Sequence, residues 1–302
     1  MQVFIDPSVG DSTRFREHDF VTKVLAAASE SADFPAHLGT AVVLSGHRRH
    51  KRWPILEQVD RPLIVVLGDE DARLQPDLIA RSAALLQCYR PSDASWPDAV
   101  LRMPLGPGGP PPIQPGLPWQ DRDLDVVFVG HLHRRRWSFA RELGAVSGAL
   151  RAVPDTLLPA VRRSVVSQPL RPLPHHQCLL RFTDRFGAGL SQAEHLHALS
   201  RARIALVPPG FKQDETFRHH EAARAGCVLV GTPIDGLPVV PFPLTGGLLT
   251  LLKDLLADPK ALEARHQAVM SAWTETGCAE AVGRSLAARL SALTKHRSTA
   301  IG

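Results

Sequence analysis

The segment TFRHHEAARAGCVLVG, residues 216–231, contains a basic and an acidic residue at a spacing suited to binding a phosphorylated ligand. If Thr216 begins a helix, the backbone N–H groups of the first turn are free to bind an anion. Arg218 falls in that turn and can donate to phosphate oxygens. Glu221 lies three residues on, on the same helix face, where its carboxylate can accept from ribose hydroxyls. The alternative is an ordinary solvated helix start.

A second basic segment, HLHRRRW (131–137), follows the apolar run LDVVFVG. Gly130 allows a sharp turn after that predicted strand. Arg134, Arg135 and Arg136 then crowd the start of a predicted helix, where cations interact unfavourably with the helix dipole. An anion held by at least one of them would offset this cost. The alternative is that the three side chains are solvated, with their stems over Trp137.

Two further groups of residues could bind ligands, but their patterns are less informative. The run GHRRHKRW (46–53) could contact an acidic acceptor or a nucleic acid backbone, or could be a solvated loop. Because no recognition helix, zinc finger or aromatic RNA-binding strand appears, we expect no nucleic acid partner. Histidines often occur in pairs, but without the convergent ligand spacing of a metal site, so no metal is expected. His219 and His220 are interpreted as donors near the phosphate, or as solvated.

Alternating apolar and helical patterns predict the elements that position these residues. In the first part, strands are predicted at 1–6, 40–46, 62–68 and 99–106, and helices at 13–31 and 77–89. The continuously apolar strands indicate burial on both faces, as in a parallel sheet. The Pro- and Gly-rich stretch 106–119 cannot continue a helix or a central strand and predicts a domain boundary.

The pattern then restarts, which predicts a second parallel α/β domain. Strands are predicted at 124–130, 177–183, 203–210 and 227–232, and helices at 134–150, 191–202, 216–226, 246–259, 260–276 and 279–296. The predicted domains are therefore 1–115 and 120–278, each Rossmann-like. A final helix within 279–302 is expected to pack back on the N-terminal domain.

Composition narrows the class of protein further. The 302 residues carry 35 Lys and Arg against 30 Asp and Glu, a formal net charge of +5 that suits acidic ligands. Four scattered cysteines, the lack of a secretory signal pattern and the lack of a long apolar run favour a cytoplasmic protein without a transmembrane segment. The motifs of P-loop proteins, nicotinamide dehydrogenases and α/β-hydrolases do not occur.

The order of these segments resembles the exostosin-like glycosyltransferases. ALVPPGFKQDETFRHHEAARAGCVLV is similar to their nucleotide-sugar segment: a strand, a Pro-Gly loop, Ser/Thr-Phe-Arg, Glu-Ala, Ala-Gly-Cys and a strand. DVVFVGHLHRRRW resembles their Phe-x-Gly strand with its basic helix start. LIVVLGDEDARL and LRMPLG resemble Gly-Asp-Glu and Pro-Leu-Gly segments of some relatives. The chain departs from the family at Leu229, where Pro is frequent, and the first ~60 residues have no match.

This resemblance implies a GT-B fold: two Rossmann-like domains facing a cleft, with the acceptor on the first and the donor nucleotide on the second. It implies an inverting, metal-independent transfer of a sugar from a UDP-, GDP- or dTDP-sugar to a hydroxyl of a glycan, lipid or small molecule, without a cofactor. By the same resemblance Arg218 holds the diphosphate, Glu221 the ribose, and the Gly130 loop borders the leaving group. The other implied donor-binding residues are Arg134, Arg136, Pro209, Gly210, Thr216 and Phe217.

Inverting transfer needs a general base to accept the acceptor's proton. In this fold the base would come from the N-terminal domain, and Asp69 and Glu70 follow a predicted buried strand there. Asp6 and His18 are the next candidates, and Asp69-Glu70 could instead be a polar turn. Two other functions stay open at this point: a non-catalytic protein of the same fold that binds nucleotides or anionic glycans, and nucleic-acid association through the basic loops.

Overall fold

A computed structural model of the chain describes residues 1–6, 18–45, 53–68, 71, 75–89, 96–108, 116–145, 170–183, 189–242 and 246–301. The chain divides into two compact units, one of Met1–Pro110 with Thr274–Gly302 and one of Pro111–Trp273. The strands are β1 (Gln2–Ile5), β2 (Thr40–Ser45), β3 (Leu63–Leu67), β4 (Ala84–Gln87), β5 (Val100–Arg102), β6 (Leu124–His131), β7 (Cys178–Thr183), β8 (Ala202–Val207), β9 (Val228–Gly231) and β10 (Val239–Pro241). The α-helices are α1 (His18–Glu30), α2 (Pro76–Arg81), α3 (Trp137–Glu142), α4 (Gln192–Arg201), α5 (Phe217–Arg224), α6 (Leu248–Ala257), α7 (Pro259–Ala272) and α8 (Ala279–Ile301).

The first unit is built on a parallel sheet with strand order β1-β2-β3-β4-β5. Its strands β2, β3 and β4 are almost entirely buried, as their continuous apolar runs predict. The helix predicted at 77–89 is wrong in its second half, because α2 ends at Arg81 and Ala84–Gln87 forms β4. A buried run of four residues fits either type of element, and pairing with β3 and β5 makes it a strand.

The C-terminal helix α8 belongs to the first unit, where it packs along α1. Gly283 lies at their closest approach. A Cβ atom at Gly283 would lie 2.7 Å from Cβ of Ala27 and 2.8 Å from the carbonyl oxygen of Val24. Since one of these neighbours is backbone, the two helices would have to separate to admit a side chain.

We therefore expect Gly283→Ala to lower the free energy of unfolding by about 1–3 kcal/mol through overpacking. This outcome is opposite to the gain of about 1 kcal/mol that Ala provides in a helix without such contacts. Urea unfolding checks it, with Ser285→Ala on the exposed side of the same helix as the control. A Gly283→Ala variant as stable as the wild type would contradict the close packing of α8 on α1.

The second unit has a parallel sheet with strand order β10-β9-β8-β6-β7 and helices on both faces. Alternate residues of β6 point to opposite faces: Val126 and Phe128 join a core with α3 and α6, whereas Val127 joins a core with α4 and α5. The predicted fold class, α/β with two Rossmann-like parallel units in tandem, is confirmed. In the described part of the chain, no helix combines the length and apolarity that crossing a bilayer requires.

The order of the second sheet reverses between β6 and β8. From β6 the chain moves outward to β7, and it then returns to β8 on the other side of β6. The loops after β6 and β8 therefore lead to helices on opposite faces of the sheet, which opens a crevice at the carboxyl ends of these two strands. This is the topological position at which open parallel sheets bind ligands.

Candidate functional site

The two basic segments identified in the sequence both begin at this reversal point. β6 ends with Gly130 and His131, and β8 is followed directly by Pro208, Pro209 and Gly210. The loop after β8 then leads to α5. Residues that are about 80 positions apart in the sequence therefore meet at one edge of one sheet.

Helix α5 begins after Thr216, which has the extended backbone of an N-cap residue. The Thr216 N–H donates to Nδ1 of His219 at 3.2 Å, and the His219 N–H donates to the Thr216 carbonyl at 3.1 Å. Thr216, Phe217 and Arg218 are each half-buried, so this helix start is not sealed inside the core. The first residues of α5 are therefore partly accessible to solvent.

Three side chains of α4 and α5 meet beside this helix start. Nε2 of His195, on α4, lies 2.9 Å from Nη1 of Arg218 and 3.2 Å from Oε2 of Glu221. Oε1 of Glu221 accepts a bond of 3.5 Å from Nε2 of Gln192. The structure thus brings Arg218 and Glu221 together, as their spacing predicts, and adds His195 between them.

The electrostatics of the cluster keep Arg218 cationic and Glu221 anionic. Burial lowers the pKa of Arg218, while the charge of Glu221 opposes that shift, and a guanidinium stays protonated at neutral pH. Burial acts to raise the pKa of Glu221, but its contact with the His195 ring and the positive charges of Arg218 and Arg224 outweigh burial and lower that pKa. Glu221 is therefore an ionised acceptor, suited to hydroxyl groups.

The start of α4 is fixed by a capping box. Oγ of Ser191 accepts from the Glu194 N–H at 3.3 Å, and the Ser191 N–H donates to Oε2 of Glu194 at 2.7 Å. His195 is the next residue, so its position depends on this cap. A small, partly enclosed crevice lies beside His195 and Arg218 and is otherwise lined by apolar residues of β6, β8, α4 and α5. Such surroundings strengthen charge interactions.

Two of the three crowded arginines bind the loop after β8. Nε of Arg136 donates to the Pro209 carbonyl at 2.8 Å and its Nη1 donates to the His131 carbonyl at 3.1 Å, and the side chain is buried. Nη1 of Arg135 donates to the Gly210 carbonyl at 3.3 Å, and its Nη2 pairs with Asp214 at 2.5 Å. These contacts hold the loops after β6 and β8 together.

Arg134 differs from its two neighbours. Its side chain is exposed, and among the described residues it has no hydrogen-bond or ion-pair partner. Of the two arginines predicted to bind the donor, Arg134 is thus available in this structure, whereas Arg136 is engaged by backbone carbonyls. A contact of either residue with a donor stays a prediction.

The glycines at this edge are sites of close approach. A Cβ at Gly130 would lie 2.8 Å from the Phe128 ring and 3.1 Å from Nη1 of Arg136. Gly210 donates its N–H to the Gln213 carbonyl at 2.8 Å, and a Cβ there would lie 3.0 Å from that oxygen. Both residues therefore shape the loops, and direct contact of Gly130, Pro209, Gly210 or Phe217 with a ligand stays a prediction.

His219 and His220 are not solvated, which corrects one of the two interpretations from sequence. Both are buried. Nε2 of His219 lies 2.9 Å from the Thr232 carbonyl, so it carries the proton while Nδ1 accepts from Thr216. Nε2 of His220 lies 2.7 Å from Oε1 of Glu215. Adjacent side chains of a helix point in different directions, and the packing of the helix decides which of them are buried. The sequence alone therefore does not show that both histidines face inward.

The burial of His219 predicts a pH dependence of stability. Burial lowers the pKa of His219 from 6.5 to about 4, although its backbone hydrogen bonds oppose the shift. The unfolded chain then binds a proton more readily than the folded chain between these values, so the free energy of unfolding falls as the pH is lowered from 6.5 towards 4. Urea unfolding at several pH values measures this slope. His219→Gln should reduce the slope, and an unchanged slope would contradict the assignment.

Of the four residues considered as a general base, the structure describes Asp6 and His18. Asp69 and Glu70 lie outside the described residues, as does most of the basic run 46–53. Asp6 is buried at the end of β1, and its N–H donates to the Val43 carbonyl at 2.9 Å. Nε2 of His18 lies 3.1 Å from Oδ1 of Asp19. Within the described ranges, no three His, Cys, Asp or Glu side chains are arranged to hold a metal ion.

Arg122 supports the site from the other end of α4 and α5. Its buried guanidinium donates to the carbonyls of Ala202 (2.6 Å), Gly226 (3.2 Å) and Ala225 (2.6 Å), and its Nε donates to Leu117 at 3.3 Å. Ala202 follows α4, and Ala225 and Gly226 follow α5, so Arg122 binds carbonyls just past the ends of both helices and shares that of Gly226 with Nδ1 of His266. It thereby joins the two helices that carry His195 and Arg218.

Sequence reasoning missed His195, Gln192 and Arg122. His195 and Gln192 had one usable signal: they lie in the first turn of a predicted helix, after a predicted strand, as Arg218 does. Arg122 had none, because three of its four carbonyl partners are 80 to 104 residues away along the chain.

Comparisons with known proteins give likeness in structure alone. No known family matches the chain, and no curated protein matches it. It is similar to accessory secretory proteins 1, 2 and 3 of Streptococcus pneumoniae, with 10% identity, a TM-score of 0.49, and coverage of 94% of this chain and 57% of that one.

Two other solved structures are also similar. An α,α-trehalose-phosphate synthase (UDP-forming) from Burkholderia vietnamiensis has 12% identity and a TM-score of 0.45, and the match covers 92% of this chain and 78% of that one. MurG from Acinetobacter baumannii has 11% identity and a TM-score of 0.39, and the match covers 97% of this chain and 98% of that one.

Proposed function

We propose that the protein is a glycosyltransferase of the GT-B class that binds a nucleoside-diphosphate sugar at the carboxyl edge of the second sheet. The observation that carries this proposal is Arg218 in the first turn of α5, at the reversal point, with ionised Glu221 one turn on. The helix start and the guanidinium suit a diphosphate, and Glu221 suits ribose hydroxyls. The donor is a UDP-, GDP- or dTDP-sugar, and exposed Arg134 is available for the same anion.

The proposed reaction is a single displacement. A general base, Asp69 or Glu70, accepts the proton of an acceptor hydroxyl as its oxygen attacks the anomeric carbon. The bond from that carbon to the diphosphate oxygen breaks, and the nucleoside diphosphate leaves with the electron pair while the anomeric centre inverts. Arg218 and the α5 amides stabilise the charge that develops on the leaving group. Because these groups supply positive charge, we propose that no metal ion is needed.

A ligand screen followed by a turnover assay tests this function. UDP, GDP, CDP and dTDP compounds are tested for an increase in melting temperature, since a ligand of the native state stabilises it. The sugar nucleotide with the largest effect is then incubated with the protein, with and without EDTA, and nucleoside diphosphate release is measured. We expect slow release that EDTA does not change. Stabilisation without release, even with many acceptors, would instead support a non-catalytic binding protein.

A further inference from the structure

His195 makes two contacts that cannot both be favourable in the free protein. Its single atom Nε2 faces an Arg218 N–H group at 2.9 Å and a Glu221 carboxylate oxygen at 3.2 Å. A guanidinium only donates, and an ionised carboxylate only accepts. A protonated Nε2 can donate to Glu221 but places its own N–H against the N–H of Arg218. An unprotonated Nε2 can accept from Arg218 but places its lone pair against the Glu221 oxygen.

We propose that His195 is a positioning residue that couples the diphosphate end of the donor site to its ribose end. In the free protein Nε2 accepts from Arg218. When the diphosphate of the donor draws Arg218 away, Nε2 takes a proton and donates it in a hydrogen bond to Glu221, which fixes that carboxylate for the ribose. The inference rests on the proposed function and specifies how the two binding residues depend on each other.

The surroundings of His195 support such a change. The charged groups that face it are Arg218 and Glu221, both on α5, while Gln192 on its own helix contacts Glu221. The neighbouring residues of β6 and β8 in the crevice are apolar, for example Val127 and Ala205. Burial, and next the charge of Arg218, lower the pKa of His195, while Glu221 opposes both. A bound diphosphate offsets the Arg218 charge and so raises that pKa.

Proton uptake on binding tests the inference. Titration calorimetry at about pH 6, below the ordinary pKa of His, is run in two buffers of different ionisation enthalpy. The probe is UDP-glucose, GDP-mannose or dTDP-glucose, whichever raises the melting temperature most, because these phosphodiesters do not themselves titrate near this pH. We expect the wild type to take up a fraction of a proton per bound ligand.

Variants of His195 distinguish a coupling of Arg218 to Glu221 from a merely structural role of the His195 side chain. His195→Gln can accept from Arg218 and donate to Glu221 with different atoms, so it should bind the probe without proton uptake and without pH dependence. His197→Gln, at an exposed position of the same helix, should leave the uptake unchanged. His195→Asn serves as a second variant if the Gln variant has a lowered melting temperature.

The outcomes are distinct. Equal proton uptake by the wild type and His195→Gln overturns the inference while leaving the proposed function intact. If no sugar nucleotide binds the wild type, the proposed function fails, and the inference fails with it. Loss of uptake in His195→Gln with uptake retained in His197→Gln supports the inference.

Discussion

Arg218→Ala should weaken binding of a nucleoside diphosphate by about 100-fold or more. The substitution removes a charge-assisted donor from the start of α5, and it also removes one of the positive charges that lower the pKa of Glu221. A loss of this size corresponds to about 2.7 kcal/mol of binding free energy. Titration calorimetry with the diphosphate selected in the ligand screen measures it directly.

The matched control is Arg201→Ala. Arg201 lies at the far end of α4 and pairs with exposed Asp123, so its removal should leave nucleotide affinity unchanged. Melting temperatures of both variants establish that they fold. If folded Arg218→Ala binds the diphosphate as tightly as the wild type, Arg218 is not a phosphate ligand and the proposed donor site is wrong.

Arg122→Met should lower the free energy of unfolding by about 3–5 kcal/mol. The side chain is buried and supplies donors to four carbonyls, and Met of similar length supplies none, although the Gly226 carbonyl keeps its bond from Nδ1 of His266. Met also loses the cation–π contact of the guanidinium carbon, which lies 5.6 Å from the centre of the Trp119 ring. Urea unfolding measures the change.

Arg201→Met is the control for this prediction as well, because an exposed ion pair contributes about 0–1 kcal/mol. Since Arg122 joins the ends of α4 and α5, we also expect Arg122→Met to weaken nucleotide binding, although it does not touch the ligand. Equal stability of the two Met variants would show that the Arg122 hydrogen bonds contribute little.

Much of the fold follows from local patterns in the sequence. Buried parallel strands are continuous apolar runs, and their helices have apolar stripes, so the alternation of elements is visible without a structure. The exceptions are short. The apolar run that forms β4 also fits the end of a helix. The strand β10, which ends on Pro241, has three residues, too few to show the alternation of a strand.

The site was predictable only where its residues share one helix. Arg218 and Glu221 are three positions apart, so their common face follows from helix geometry. The direction of Arg135 and Arg136 depends instead on a loop more than 70 residues away, and His195 is 23 residues from Arg218. Contacts of this kind are set by sheet topology, which the local pattern does not specify.

The most direct test of the donor site compares a nucleoside diphosphate with its monophosphate and its nucleoside in calorimetric titrations of the wild-type protein. If the diphosphate docks on Arg218 and the α5 amides, affinity should rise with each phosphate, and the diphosphate should bind at least about 10-fold more tightly than the nucleoside, a difference of about 1.4 kcal/mol. Equal affinities for the three ligands, or no binding of any diphosphate, would contradict this account of the site.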